Sequence, residues 1–241
     1  MRSTLFLLLL VVCSCGNNPS PEVRQKNNPV TVELLETYDI DEIKKEWLDA
    51  FKWTSENPPV AEDSEKKWAD QFAAKGLRTL FINGYAHAIA FIRTKDIPAV
   101  DSMLAIPEVK NQFPEDLRFM WSKYEKEDPA EHFKGYLLYA VKLPKDKKAV
   151  VNSRDVLECV PADNEQYPSI DLNLVMTEKG ARKLEAFTRK NENRFIAVVM
   201  DGTVVSCPHV QEVISAEMKL SQNFTMDQAG EISDRINAGR K

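Results

Sequence analysis

Cys207 and His209 are the two residues whose types come closest to a nucleophilic site, because an imidazole can activate a nearby thiol. They lie two positions apart in Ser206-Cys207-Pro208-His209. Adjacent residues of a strand point to opposite faces, and Pro208 kinks the path between the two side chains. We therefore interpret the pair as a buried thiol and a surface histidine.

Three carboxylates that are close in sequence, Asp155, Glu158 and Asp163, are the candidates for general acid–base chemistry. That chemistry needs paired carboxyl groups in a cleft. The same three residues fit an ordinary solvated strand and loop, which is the interpretation we favour. The sequence therefore predicts that the protein is not an enzyme and has no catalytic residues.

The composition disfavours cofactor, metal and nucleic-acid sites. The 8 glycines include no pair at G-x-G or G-x-x-x-x-G spacing, so the usual phosphate-binding loops are missing. His87, His132 and His209 are isolated and no C-x-x-C pair occurs, so no metal-ligand spacing can be written. With 32 Lys+Arg against 37 Asp+Glu the net charge is -5, which gives no positive field for nucleic acid. We expect no cofactor, no metal and no nucleic-acid partner.

The first fifteen residues have the pattern of an export signal followed by a lipid attachment site. Leu5–Val12 is an apolar run of eight residues after a positive start at Arg2, far short of the roughly 20 residues that span a bilayer. Val12-Cys13-Ser14-Cys15 resembles the bacterial lipobox. We predict a signal peptide at 1–14 and lipid attachment at Cys15; the alternative is a secreted protein with an unmodified cysteine.

Residues 15–29 are predicted to be a flexible tether, because they contain almost no apolar side chains to bury. The folded part is expected to begin near Val30. Only Cys159 and Cys207 then remain in the folded portion. They form either one disulfide or two separate buried thiols, and the sequence leaves both possibilities open.

Residues 30–94 are predicted to form a region of helices and strands. Asp41–Trp53 carries apolar residues at the i, i+4, i+7, i+8 spacing of an amphipathic helix. Further elements are predicted in the order helix 63–76, strand 77–82, strand 85–93 and a short helix capped by Asp96 that runs through Leu104.

Trp53 and Arg194 are the candidate partner contacts. Trp47, Trp53 and Trp68 crowd the N-terminal helices, and Trp53 lies off the buried stripe, so it marks a contact surface or packs against the sheet. Arg194 extends a basic helix face that is either a site for an acidic partner or anionic lipid, or an ordinary solvated face. That face comprises Lys179, Arg182, Lys183, Arg189 and Lys190.

The rest of the chain, 95–241, predicts an α+β fold. Strands are predicted for 117–123, 135–142, 154–160, 169–176, 195–200, 203–206 and 218–222, and helices for 177–190 and 225–239. Asp201-Gly202 predicts a hairpin with a type I′ turn. The order of the elements predicts a two-layer sandwich, with a mostly antiparallel sheet and helices on one face.

The C-terminal third resembles the periplasmic P1 head of the SecD/SecDF protein-export family. The resemblance covers about 152–239 and rests on Ser153-Arg154-Asp155-Val156, Asp171–Lys183, Phe187–Asn191, Ile196–Ser206 with Pro208, and Asn223-Phe224-Thr225 with Ala229 and Ala238-Gly239. A weaker resemblance, to the version in Bacteroidetes-like bacteria, extends the likeness upstream so that 95–241 is expected to be one P1-head-like domain. Residues 30–76 resemble no part of it.

The family resemblance implies a function in protein export. The family's motor uses charged residues in membrane-embedded helices, and no apolar stretch after Cys15 is long enough for one, so we do not expect motor activity. The family's usual glycine pair is replaced around Ser215-Ala216-Glu217, which puts ligand contacts of that loop in doubt. Together with the lipobox pattern at Cys15, the resemblance implies a lipid-anchored, periplasm-facing envelope protein that binds exported or unfolded polypeptide or Sec components. The rival interpretation is a structural envelope lipoprotein that reuses the fold.

Overall fold

The computed structural model describes residues 30–57, 87–127 and 133–239. Several sequence predictions lie outside these ranges: the signal peptide and tether with Cys15, the helix at 63–76 with Trp68, and the strand at 77–82. All named strand pairs of the described residues are antiparallel, and helices pack against the sheets. The predicted α+β fold class is therefore confirmed, although the strands form two sheets instead of one.

The larger sheet is built around a long central strand. Its strands are β1 (Val32–Thr37), β2 (Ala90–Arg93), β3 (Leu117–Trp121), β4 (Lys126–Glu127), β5 (Lys134–Lys142), β6 (Val151–Asn152), β9 (Ile196–Met200) and β10 (Thr203–Ser206). The strand order is β10-β9-β1-β5-β2, while β3 and β4 also pair with β5 and β6 pairs with β1. The predicted N-terminal region therefore supplies β1 to the middle of this sheet.

Five of these strands close into a small barrel. β3 pairs with the side of β5 opposite to β1, and Ser122, the residue after β3, forms a parallel bridge to Val204 in β10. The Lys123 N–H donates to the Val204 carbonyl oxygen at 2.8 Å. A core cluster that includes Leu35, Tyr139, Val141, Ala197 and Val199 fills the interior. The closure removes the free edge that β10 would otherwise present at this point.

The smaller sheet has the order β11-β8-β7. β7 spans Val156–Asp163, β8 spans Ile170–Met176 and β11 spans Glu217–Phe224. Helices α4 (Glu178–Lys190) and α5 (Met226–Ala238) bury apolar side chains against it and against β1 and β9. This largest core cluster includes Leu34, Leu172, Leu184, Val198 and Ile232. Both helices, β8, β11 and the β9–β10 hairpin are close to their predicted positions.

Three of the described helices belong to the N-terminal half: α1 (Lys44–Glu56), α2 (Ile97–Ala105) and α3 (Pro107–Lys110). Turns of 3-10 helix occupy Ile40–Glu42, Thr94–Asp96 and Ser153–Asp155. Trp47 is buried among Phe51, Phe113 and Phe119 in a second core cluster. Asp96 stands at the N-cap position of α2, as predicted, but its side chain makes no capping hydrogen bond, because this residue also ends the preceding 3-10 turn.

Local chemistry explains the connections in the C-terminal part. Asp201 and Gly202 have φ of 50° and 80°, as the predicted type I′ turn requires. Thr225 and Gln228 form a capping box at the start of α5, for which the sequence Thr225-Met226-Asp227-Gln228 has the required spacing. Asp171, which alternation assigns to a solvated face, is buried instead because Asn164 Nδ2 donates to its carboxylate at 3.0 Å and Lys219 Nζ lies 3.6 Å away.

Candidate functional site

Arg194 lies just before β9, where carboxylates of the turn preceding α1 hold it. Its Nη2 is 2.6 Å from Glu42 Oε2 and 3.9 Å from Asp39 Oδ2, and it donates to the Thr37 carbonyl oxygen at 3.4 Å. Burial acts to raise the pKa of the Glu42 carboxyl, but the Asp39 N–H, Lys142 and Arg194 outweigh it, so that pKa is lowered. Arg194 thus joins β9 to the N-terminal turn. Its contact with a partner stays a prediction.

Trp53 lies in the last turn of α1 and is half-buried against the second core cluster. It also lines a shallow surface cleft with Lys45, Glu46, Asp49, Lys52, Glu56 and Gln112. Arg194 contacts the turn before this helix, so Trp53 and Arg194 lie at opposite ends of α1, roughly 14 Å apart along its axis. The structure therefore does not bring the two candidate residues into one site, and partner contact at Trp53 also stays a prediction.

The thiol and imidazole that could have formed a nucleophilic pair lie in different environments. Cys207 is 2% exposed inside the barrel, and burial raises the pKa of its thiol. His209 is exposed, and its ring packs edge-on against Phe195 at 4.9 Å between centroids. Cys159 is a second buried free thiol, and burial raises its pKa to about 12. The alternative of two separate buried thiols is the one that the structure contains.

The three candidate carboxylates are spread along β7 instead of meeting in a cleft. Asp155 is buried before the strand, 2.7 Å from Lys183 Nζ, and accepts a hydrogen bond from the Asn152 N–H at 3.0 Å. Glu158 and Asp163 are exposed, and Asp163 ends the strand roughly 23 Å from its start at 3.3 Å per residue. Asp155 therefore anchors α4 to β7.

Most of the basic face of α4 is paired with carboxylates of this chain. Arg182 is 2.8 Å from Glu178, Arg189 is 2.9 Å from Glu185, and Lys190 is 2.5 Å from Glu36. Two of these pairs are exposed i, i+4 contacts within one helix. The pattern matches an ordinary solvated helix face, which is one of the two interpretations that the sequence allows.

A polar cleft between the two sheets is the most site-like feature of the described residues. Its volume is about 230 Å³. One wall comes from the end of β3, β4, β5 and β10, and the other from the end of β11 and the start of α5. The lining of the cleft includes Tyr124, Lys126, Tyr139, Gln222, Asn223 and Gln228. They bring two phenols, three amides and one ammonium group to a single opening.

Two groups at the cleft are poised for a ligand. The Tyr124 hydroxyl is enclosed and has no hydrogen-bond partner among the described residues. Lys126 is half-buried, has no ion-pair partner within those residues, and burial lowers the pKa of its ammonium group. Its charge also lowers the pKa of His87, after the larger effect of burial. A donor-rich cleft of this kind suits carbonyl or carboxylate oxygens.

Within residues 30–57, 87–127 and 133–239, no three His, Cys, Asp or Glu side chains are close enough to hold a metal ion. The helices of these ranges are all too short or too polar to cross a membrane.

No pattern in the sequence predicts the cleft. Tyr124 and Lys126 fall in a segment that looks like a charged loop, and Gln222, Asn223 and Gln228 belong to a strand and a helix start about 100 residues later. The closure of the barrel at Ser122, the ion pair of Lys123 with Glu231 and the ring contact of Tyr124 with Phe224 place the two segments side by side, and no local sequence signal predicts them.

Comparison with known proteins shows what the C-terminal part of the chain is similar to. The family model for the SecDF P1 head subdomain matches residues 137–240, which contain the predicted 152–239. The protein translocase subunit SecD of Elusimicrobium minutum is 33% identical over 73 residues, which are 30% of this chain and 15% of that protein. SecD of Desulfurispirillum indicum is 38% identical over 80 residues, 33% of this chain and 15% of that protein.

A solved structure, described as "Structure and function of a membrane component SecDF that enhances protein export", aligns with 92% of this chain and 71% of its own. The TM-score is 0.42 and the identity 13%, too low to establish a common fold. The matched segments of this chain span about 15% of the length of the SecD relatives named above.

Proposed function

Starting from the SecD/SecDF P1 head-like domain at residues 137–240, we propose that this protein acts in protein export by binding exported or unfolded polypeptide, or components of the Sec machinery. The family match carries this proposal. The protein acts by binding and not by catalysis, because the candidate nucleophile and carboxylates are held in structural contacts.

The polar cleft is the site we propose for the polypeptide. Its amides offer both donors and acceptors to a peptide backbone. The rings of Tyr124 and Tyr139, with Val204 and Val205, offer apolar surface that can contact many different side chains. Lys126 and the enclosed Tyr124 hydroxyl supply donors that a carbonyl or carboxylate oxygen satisfies. Such a site suits substrates that share a backbone but differ in sequence.

A binding measurement with the purified full chain tests this proposal. The ligand is a reduced, carboxymethylated protein that stays unfolded, and its folded, disulfide-intact form is the control. We expect binding of the unfolded form only, and weaker binding by Tyr124→Phe and by Lys126→Gln. Arg182→Gln, on the exposed face of α4, is the matched control and leaves binding unchanged. Equal, negligible binding of both forms would contradict the proposal and favour a structural envelope protein.

We also propose that the protein is held at the cell envelope, facing the periplasm, by lipid on Cys15. Residues 1–14 are removed in this account, and the tether at 15–29 leaves the folded part free to meet its partner. Gly16 gives no acidic retention signal after the cysteine, which favours the outer membrane. Cys15→Ser should leave an unprocessed, unlipidated precursor. Mass spectrometry of the wild-type N-terminus tests this, and an acyl-free chain that begins elsewhere would remove the anchor.

A further inference from the structure

β11 presents an unpaired backbone edge from Glu217 to Ser221. The Met176 N–H donates to the Ala216 carbonyl oxygen at 2.9 Å, and the register continues with Met218 opposite Leu174. Hydrogen-bonded pairs alternate in an antiparallel ladder, so the backbone groups of Glu217 and Lys219 point away from β8. Neither residue makes another backbone hydrogen bond with the described residues, and both are exposed.

The opposite edge of the same sheet is covered in a way that β11 is not. At β7, the Cys159 N–H donates to Asn237 Oδ1 at 2.9 Å, and its carbonyl oxygen accepts from Ser233 Oγ at 2.8 Å. Both partners are side chains of α5. Pro161, on the same strand, has no N–H to offer. The outer edge of β7 is therefore protected against the addition of another strand. The backbone donors and acceptors on the outer edge of β11 stay available.

We propose that an extended segment of the polypeptide adds to the small sheet as a fourth strand, paired with the β11 edge. This inference rests on the proposed function and specifies how that substrate is held. Free N–H and C=O groups that alternate along a strand match a second extended backbone better than any other ligand, whatever its side chains.

The edge leads directly into the polar cleft. Regular pairing of β11 with β8 stops after Leu220, and Asn223 has φ of 54°, so the strand bends there. Gln222 and Asn223 are also cleft-lining residues. A chain paired with Glu217 and Lys219 therefore continues towards Tyr124 and Lys126 without reversing direction. Edge and cleft form one path for an extended segment.

Lys219→Pro removes one donor from this edge and leaves the ladder with β8 intact, because the Lys219 N–H points outward. Proline is tolerated on edge strands in this orientation, and Met218 before it is already extended. Lys219→Ala is the matched control, since it also loses the side chain and its 3.6 Å contact with Asp171 but keeps the N–H. Urea unfolding of both variants shows whether they remain folded.

The experiment compares two synthetic nine-residue peptides of alternating valine and polar residues. One peptide is unmodified. The other is N-methylated at alternate positions, so that one of its edges has no N–H groups to pair with β11. Binding to the full chain is followed by the amide NMR signals of Glu217, Lys219 and Ser221. We expect at least tenfold weaker binding of the N-methylated peptide, the same loss for Lys219→Pro with the unmodified peptide, and little change for Lys219→Ala.

Equal binding of both peptides, or unchanged binding by Lys219→Pro, would overturn strand addition while leaving the proposed polypeptide-binding function standing. Absence of peptide binding together with absence of binding to unfolded protein would remove both. Concentration-dependent dimerisation of the full chain that Lys219→Pro abolishes would also overturn the inference, because the edge would then be occupied by a second copy.

Discussion

The carbonyl oxygen of Asp155 lies 2.0 Å from the point where a Cβ on Gly180 would stand. The same oxygen accepts hydrogen bonds from the Thr177 N–H at 2.9 Å and from Thr177 Oγ1 at 3.2 Å. The first turn of α4 therefore packs backbone against backbone at the start of β7. This contact explains why a glycine occupies the third position of a helix whose remaining residues are ordinary helix formers.

Gly180→Ala should destabilise the protein by about 1–3 kcal/mol, because the backbone must shift to admit the methyl group. Helix propensity alone predicts the opposite sign, with alanine better than glycine by about 1 kcal/mol. Gly230→Ala in α5 is the matched control, since no atom lies within 4 Å of the point where its Cβ would stand and stability should rise slightly. Urea unfolding measures both, and a stabilised Gly180→Ala would contradict the close contact.

Gly202→Val should lower the thermal midpoint through backbone strain alone. Gly202 has φ of 80° and open space around its Cβ position, so no steric contact with a neighbour contributes. A β-branched residue in this region costs on the order of 1 kcal/mol or more. Gly202→Asn, which tolerates positive φ, should cost much less. An equal loss in both variants would indicate that the turn is not held by its φ angles.

Stability should fall as the pH drops below about 6.5, partly through His87. Burial, and then the charge of Lys126, lowers the pKa of His87 in the folded state. As the pH falls, the unfolded chain therefore takes up a proton on His87 before the folded chain does. The contribution of His87 to the free energy of unfolding is complete above the pKa of the unfolded state. It is lost as the pH falls towards the pKa of the folded state. Urea unfolding of His87→Phe from pH 5 to 7 should show a shallower dependence of stability on pH than wild type, and an equal slope in the two proteins would contradict this role of His87.

Cys159 and Cys207 should react with a thiol reagent on the order of 100-fold or more slowly in the folded protein than in urea, because both are buried and burial raises both pKa values. Peptide mass mapping assigns the label to each cysteine. A disulfide between them, the other alternative that the sequence allows, would instead block labelling in urea until a reductant is added.

The sequence predicts features that depend on neighbouring residues and fails at those that depend on distant ones. The Asp201-Gly202 turn and the Thr225–Gln228 capping box follow from local backbone chemistry, so their motifs suffice. The burial of Asp171 depends on Lys219 and on a loop amide, which strand alternation does not register.

The candidate site likewise depends on contacts between residues that are distant in the chain. In the sequence, Arg194 extends a basic helix face and has no recognisable partner. Its partner in the structure is Glu42, which lies 152 positions away in the chain. The cleft depends on long-range contacts, such as the bridge between Ser122 and Val204 and the ring contact between Tyr124 and Phe224, which local sequence patterns do not predict. The family resemblance predicts the domain at the C-terminus. The polar cleft and the β11 edge on its surface are seen only in the structure.

The most direct test of the polypeptide-binding account is site-specific photo-crosslinking in the native cell envelope. Crosslinkers are placed at Gln222 in the cleft, at Trp53 and Arg194, and at Arg182 on the exposed face of α4 as the control. We expect a crosslinker at Gln222 to trap exported polypeptides or Sec components well above the level at Arg182. The crosslinkers at Trp53 and Arg194 show whether the contact surface extends to α1. Crosslinking at Gln222 no higher than at Arg182 would contradict it.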